Sequence, residues 1–194
     1  MILDVFKIPL YTKQIDVDCK TIEEYCLEKS KKEEPSNRSN RGGWQSKDLQ
    51  EDELSFLFQE ISYNVTEFTK QLNFSKKYNF SYANRWINVN YTDHYNLSHI
   101  HPYSPISGVF YVKGFDNAPI TFFHPAEQLM AYDFHPEFFK DINEYTQQHV
   151  DLKGPTGLLY LFPGWLKHGV VPNQNKDHRI SISFNTRISL NENQ

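Results

Sequence analysis

The chain has 194 residues, 39% hydrophobic and 23% charged, the proportions of one ordinary globular domain with room for a sizeable core. A net charge of −4 gives no broad basic field, and no basic stripe is interleaved with aromatics, so nucleic acid is not an expected partner. No run reaches the ~18 apolar residues that span a bilayer, and the opening MILDVFKIPLYTKQ lacks the pattern of a secretory signal; a cytoplasmic protein away from membranes is expected.

Twelve Tyr and fifteen Phe favour strands and large cores. Ile2, Leu3, Val5, Phe6, Ile8 and Leu10 predict a first strand over 2–10. Thr21, with Glu24 three residues on, reads as a capping box opening a short helix to about Lys29. Cys19 and Cys26 stand seven apart in that stretch, roughly 10 Å along a helix axis and too far for a disulfide. Free thiols suit a reducing compartment. Asn-x-Ser/Thr sequons at Asn37, Asn64, Asn73, Asn79, Asn90 and Asn96 carry no glycosylation meaning without a secretory signal.

Residues 30–48 are rich in turn formers and predict a long loop. Trp44 within it implies that the loop packs onto the body of the protein. Leu54, Leu57, Phe58, Ile61, Val65, Phe68 and Leu72 step by threes and fours, which predicts an amphipathic helix over 51–72 with one face for a sheet. From residue 82 the pattern changes to short strands, at about 84–91, 106–113, 118–124, 128–134, 157–162, 168–172 and 178–188. A polar insertion at 134–152 interrupts them, with a short helix expected around Glu137–Gln148. Helices first and strands afterwards indicate an α+β, mainly β, single domain. Its helices and loop would occupy residues 1–80 and a cupin-like jelly-roll core residues 82–190.

Three segments carry chemistry. In His99-Ile-His101-Pro, extended backbone would aim both imidazoles to one side, where they can chelate one metal ion. His168 follows the buried-looking run 157–162 and a Pro-Gly turn, so it can complete a site begun by the pair. Three protein ligands leave open positions, as a catalytic metal requires. In Arg179-Ile-Ser181-Ile-Ser183-Phe-Asn185 alternation puts Arg179, Ser181, Ser183 and Asn185 on one face. A guanidinium flanked by small hydroxyls suits a carboxylate held by paired hydrogen bonds. A wet outer sheet face fits the same pattern equally well.

These segments occur in a fixed order: His99-x-His101, His168 67 residues after His101, and Arg179 eleven residues further. With Ser39-Asn-Arg-Gly-Gly-Trp44-Gln-Ser46, Ser107-Gly-Val-Phe-Tyr111-Val and Phe162-Pro-x-Trp165, they resemble the Fe(II)/2-oxoglutarate oxygenase superfamily. The similarity is to its prolyl-hydroxylase-like branch, and within that to bacterial and phage-borne oxygenases. The motifs run from residue 39 to 185. The resemblance implies a double-stranded β-helix buttressed by helices, with Fe(II) and 2-oxoglutarate as cofactors. It implies iron ligands at His99, His101 and His168, and an oxoglutarate carboxylate held by Arg179, Ser181 and Tyr111. Hydroxylation of a C–H bond in a small molecule or peptide would release succinate and CO2.

The chain departs from the family pattern at position 101, which holds His where the usual triad has Asp. Three neutral histidines, two histidines with water, or a carboxylate from elsewhere (Asp93 is nearest in sequence) are the available shells. A cupin-type three-histidine enzyme that uses no oxoglutarate, or a catalytically silent binding module, would share much of the sequence pattern. Loop 36–48 and the 134–152 insertion are expected to wall or cover the site. A homodimer is permitted by the amphipathic helix and by exposed strand edges.

Overall fold

The computed structural model describes residues 2–3, 5–36 and 38–191; Met1, Asp4, the sequon residue Asn37 and residues 192–194 lie outside it. The chain opens with β1 (Tyr11–Gln14) and α1 (Cys19–Lys32), followed by two short strands, β2 (Asn40–Arg41) and β3 (Trp44–Gln45). Helix α2 (Ser55–Gln71) leads into the long β4 (Tyr78–Asn90), then β5 (Tyr95–His99), β6 (Ser107–Lys113) and β7 (Ile120–Phe123). Helix α3 (Glu127–Asp133) and one 3-10 turn (Pro136–Phe138) precede β8 (His149–Leu152), β9 (Leu158–Phe162), β10 (His168–Val170) and β11 (Arg179–Leu190).

These strands form two antiparallel sheets. The larger has the order β1-β9-β6-β11-β4-β3 and the smaller β2-β5-β10-β7-β8. Together they make a double-stranded β-helix, with helices packed outside the larger sheet. Strand alternation decides what each side of that sheet does. Ile87, Val89, Phe110, Val112, Leu159, Leu161, Ile180, Ile182 and Phe184 point outward into one core with Leu57, Phe58, Ile61, Val65 and Phe68 of α2. Their neighbours in sequence point between the sheets. Val109, Tyr111, Tyr160 and Phe162 meet Ile120 and Phe122 of the smaller sheet in a second core. Trp86, Asn88, Arg179, Ser181 and Ser183 turn to the same interior and line a cavity.

Helix α2 forms where its apolar stripe recurs, and truncating Phe58 to Ala would cost about 3–5 kcal/mol through the cavity left behind. The buried stripe of α2 packs inside the chain, against the larger sheet. Helix α1 begins before the expected cap. Asp18 is the N-cap, accepting from the backbone N–H of Lys20 and Thr21 and from the Thr21 hydroxyl, and the helix runs on to Lys32. Both cysteines lie in α1 and are free.

Four other expectations change. Residues 2–3 and 5–10 are not a strand, because pairing with β9 starts at Tyr11, opposite Leu161, and most of the run before it is exposed, where water rather than a ladder can satisfy the backbone. Segment 128–134 is helical rather than extended: Glu127-Gln-Leu-Met-Ala are strong helix formers, and the stretch has no β-branched residue. The helix expected at 137–148 shrinks to one 3-10 turn, and Asn143 folds the chain back by accepting from the Tyr145 N–H at 2.9 Å. Loop 30–48 contains β2 and β3, which join different sheets. Trp44 packs in the helix-side core and donates its indole N–H to the Glu33 carbonyl at 2.8 Å.

Candidate active site

His99 ends β5 and His168 begins β10, and the two residues are directly paired across the antiparallel ladder. Beyond them the register slips, with Leu97 and Ser98 opposing the single Gly169. His101 lies past the end of β5. Its backbone N–H donates to the Gly164 carbonyl at 2.7 Å, which brings the ring back beside the other two. One ring nitrogen from each histidine lies within 4.8 Å of the others, close enough to share one ion.

The tautomers are set by the backbone. His99 Nδ1 meets the Leu97 carbonyl at 2.6 Å and His168 Nδ1 the Leu166 carbonyl at 2.8 Å. A proton held on Nδ1 leaves Nε2 as the free lone pair, the usual way an outer hydrogen bond prepares a ligand. Burial, with the neighbouring imidazoles, holds His101 down to about 3 and His168 to about 4; burial lowers His99 as well. All three are therefore neutral near pH 7 and ready to bind a cation without first losing a proton. Among the described residues the cluster holds these histidines and no carboxylate, so Asp93 does not join it.

Deeper between the sheets, a second group faces the triad. A register slip at Val112 of β6 sets Tyr111 opposite Ser181 of β11, and Arg179 stands two residues from Ser181 on the same face. Arg179 is 2% exposed, and its Nη1 donates weakly to the Val171 carbonyl at 3.3 Å. Arg179 Nη2 and the Tyr111 hydroxyl are both buried with no hydrogen-bond partner. Burial raises the Tyr111 phenol, so it keeps its proton and remains a donor. No acidic side chain among the described residues pairs with Arg179. A buried guanidinium and phenol without an acceptor are costly unless a ligand supplies one, and a carboxylate supplies both oxygens. The donor sets thus fit a divalent transition metal and a small carboxylate side by side. His99, His101, Tyr111, His168, Arg179 and Ser181 all line one cavity.

The model of the family described as "Putative 2OG-Fe(II) oxygenase" matches residues 84–185, more than half of the 194-residue chain. The chain belongs to this family. It is accordingly a 2-oxoglutarate- and Fe(II)-dependent oxygenase, and the oxoglutarate-independent and silent alternatives are not favoured. No curated protein matches it in sequence. Solved structures match in fold. A Pseudomonas putida prolyl-4-hydroxylase is 11% identical with a TM-score of 0.64, over 93% of this chain and 92% of that one. HygX of Streptomyces hygroscopicus, solved with nickel and 2-oxoglutarate, is 9% identical with a TM-score of 0.62, over 93% and 83% of the two chains. The viral collagen prolyl hydroxylase of Paramecium Bursaria Chlorella virus-1, a 2-oxoglutarate complex, is 12% identical with a TM-score of 0.58, over 91% and 94%.

Sequence reasoning overlooked several residues around this oxygenase's cavity. Trp86 and Asn88 line it from β4, a placement that alternation in Trp86-Ile-Asn88-Val-Asn90 would have given. Gly154 has no such signal. A side chain there would begin 2.4 Å from Tyr111 Cζ, so this glycine is the space that the phenol ring occupies. From loop 36–48, Arg38, Ser39 and Gln45 reach the triad's outer side, whereas Trp44 faces away from it.

Proposed function

We propose that His99, His101 and His168 hold the Fe(II) and that Arg179, Ser181 and Tyr111 hold the outer carboxylate of 2-oxoglutarate. The observation that carries this reading is the pair of unpartnered buried donors, Arg179 Nη2 and Tyr111 OH, in the cavity that also holds the three imidazoles. Bound Fe(II) and 2-oxoglutarate would supply the oxidant, so that R–H, O2 and 2-oxoglutarate become R–OH, succinate and CO2. The protein's own groups do the positioning. The backbone carbonyls of Leu97 and Leu166 keep the protons of His99 and His168 on Nδ1. Arg179 and Tyr111 fix the far end of the cosubstrate, and the packed aromatics Phe122 and Phe162 around His168 keep bulk water from its ring.

With three neutral ligands the iron keeps its full 2+ charge, where a carboxylate would offset one unit. The substrate is a small molecule or a peptide, in keeping with the prolyl hydroxylases among the fold's neighbours. We take residues 1–194 as one oxygenase domain, because a single core joins the helices to the larger sheet. No described helix is long and apolar enough to cross a membrane, and free thiols support the cytoplasm as the working compartment.

Titrating anaerobic Fe(II)-loaded protein with 2-oxoglutarate tests the assignment through the visible metal-to-ligand charge-transfer band of the chelate. Loss of the band in both His168→Ala and Arg179→Glu is expected. A band that survives both substitutions would refute these roles.

A further inference from the structure

Beside the triad lies a second, more open cleft, lined by Ser39, Gln45, Trp86, His99, His101 and Asn185. Gln45 reaches this lining from the Asn40-Arg-Gly-Gly-Trp-Gln motif, which the cofactor reading leaves without a role. The motif crosses from one sheet to the other: Asn40 pairs with Asn96 of β5, and Gln45 pairs with Asn88 of β4. Gly42 takes φ +80°, and any side chain on Gly43 would begin 2.5 Å from the Val89 carbonyl. The Asn40 carboxamide closes the turn, accepting from Gly43 N–H at 3.1 Å and from Asn90 Nδ2 at 3.2 Å. Ser46 then bonds Ile87 twice, N–H to carbonyl at 3.0 Å and Oγ from N–H at 2.9 Å.

Gln45 is thus clamped on both sides, yet its own carboxamide is idle. The residue is only 2% exposed, its Oε1 is buried without a partner, and its amide nitrogen has none among the described residues. Trp86, on the same wall with its ring tilted 57° to the His101 ring at 5.9 Å, has no protein acceptor for its indole N–H among the described residues. A buried carboxamide oxygen without a donor, on a rigid mount, signals a polar partner that arrives from outside. Among the described residues of the lining the only permanent charge is the exposed Arg38; Gln45, Trp86, Ser39 and Asn185, the polar groups nearer the buried wall, carry none. A planar donor–acceptor pair is complementary to another of the same kind.

We propose that Gln45 and the Trp86 indole N–H recognise the oxidised substrate, and that the group they take is an uncharged amide, either a peptide unit or a carboxamide. This rests on the assignment of the triad and Arg179 to iron and oxoglutarate. Gln45 is a specificity residue in this scheme and has no part in holding either cofactor.

The test uses 15N-labelled protein loaded with redox-inert Zn(II) and 2-oxoglutarate, read by side-chain NMR signals. N-acetylglycine N-methylamide represents a peptide, isobutyramide a carboxamide, and methyl acetoxyacetate is the diester of the peptide probe's shape. At least one amide should saturably shift the Gln45 amide and Trp86 indole signals, with affinity about tenfold or more above the diester. The stronger of the two amides then identifies the source. Gln45→Leu, or Trp86→Phe should the first variant not fold, should shrink that preference while leaving oxoglutarate binding intact. Equal response to amide and ester, still Gln45 and Trp86 signals, or an unchanged preference in the variants would overturn the proposal. If oxoglutarate itself leaves the Arg179 signals unmoved, the cofactor assignment fails, and this proposal with it.

Discussion

His99 and His168 face each other across one rung of the β5–β10 ladder, with ring centroids 4.6 Å apart. Their separation is therefore fixed by strand pairing, before any ion binds. Replacing His168 with Ala should weaken Co(II) or Fe(II) binding by more than ~100-fold, since losing merely an outer partner of a ligand costs ~10–100-fold. His101→Ala should do the same. His101→Asp should keep the metal, because a carboxylate is a competent third ligand. Equilibrium dialysis under anaerobic conditions measures all three.

Arg179 is a buried charge with no anion beside it, so it weakens the cofactor-free protein. Arg179→Met should raise the melting temperature of that form and abolish the further rise that oxoglutarate produces. Tyr111→Phe removes one donor and should lower oxoglutarate affinity about tenfold, close to the ~1 kcal/mol worth of one hydrogen bond plus its charge assistance. Thermal melts with and without 2-oxoglutarate separate the two effects. A fall in melting temperature for cofactor-free Arg179→Met would refute the idea that its charge is uncompensated.

The metal-free protein should lose stability as the medium turns acid. Burial depresses His101 to about 3 and His168 to about 4, and His99 is lowered too, whereas in the unfolded chain each takes a proton near 6.5. The unfolded state then binds more protons than the native one below that value. Stability is complete above about 6.5 and declines as pH falls toward 4, by up to about 1.4 kcal/mol per pH unit for each histidine. Urea midpoints across this range should show the slope. A triple His→Gln variant should flatten it.

Gly154→Ala should act at a distance from the metal. The new methyl would start 2.4 Å from Tyr111 Cζ, so the ring must shift toward the cavity. Overpacking of this kind costs about 1–3 kcal/mol, and oxoglutarate affinity should fall while Co(II) affinity holds. Calorimetric titration with each ligand distinguishes this from general unfolding.

Residues related by local alternation were legible in advance. Arg179, Ser181 and Ser183 share a face because β11 is regular there, and the α2 stripe follows from its spacing. His101 comes beside His99 for a different reason than expected, since the chain has already left β5 and a bond to Gly164 restores the ring's position. What sequence reading lost depended on distant pairing. Whether Trp44 or Gln45 faces the site is decided by the register that sets Gln45 against Asn88. Residues 5–10 look like a strand but find no ladder partner, and segment 128–134 folds as a helix because its local propensity is helical and no neighbouring strand pairs with it.

His101 hangs on one backbone bond to Gly164, a residue whose missing side chain would begin 2.3 Å from the Ser104 carbonyl. Two loops, 100–104 and 163–167, are thereby zipped together, and each carries or steadies a ligand of the triad. They should breathe as one unit. Amide hydrogen exchange at His101, Ser104 and Leu166 should be rapid and correlated in the metal-free protein, then slow together when an ion joins His101 to His168.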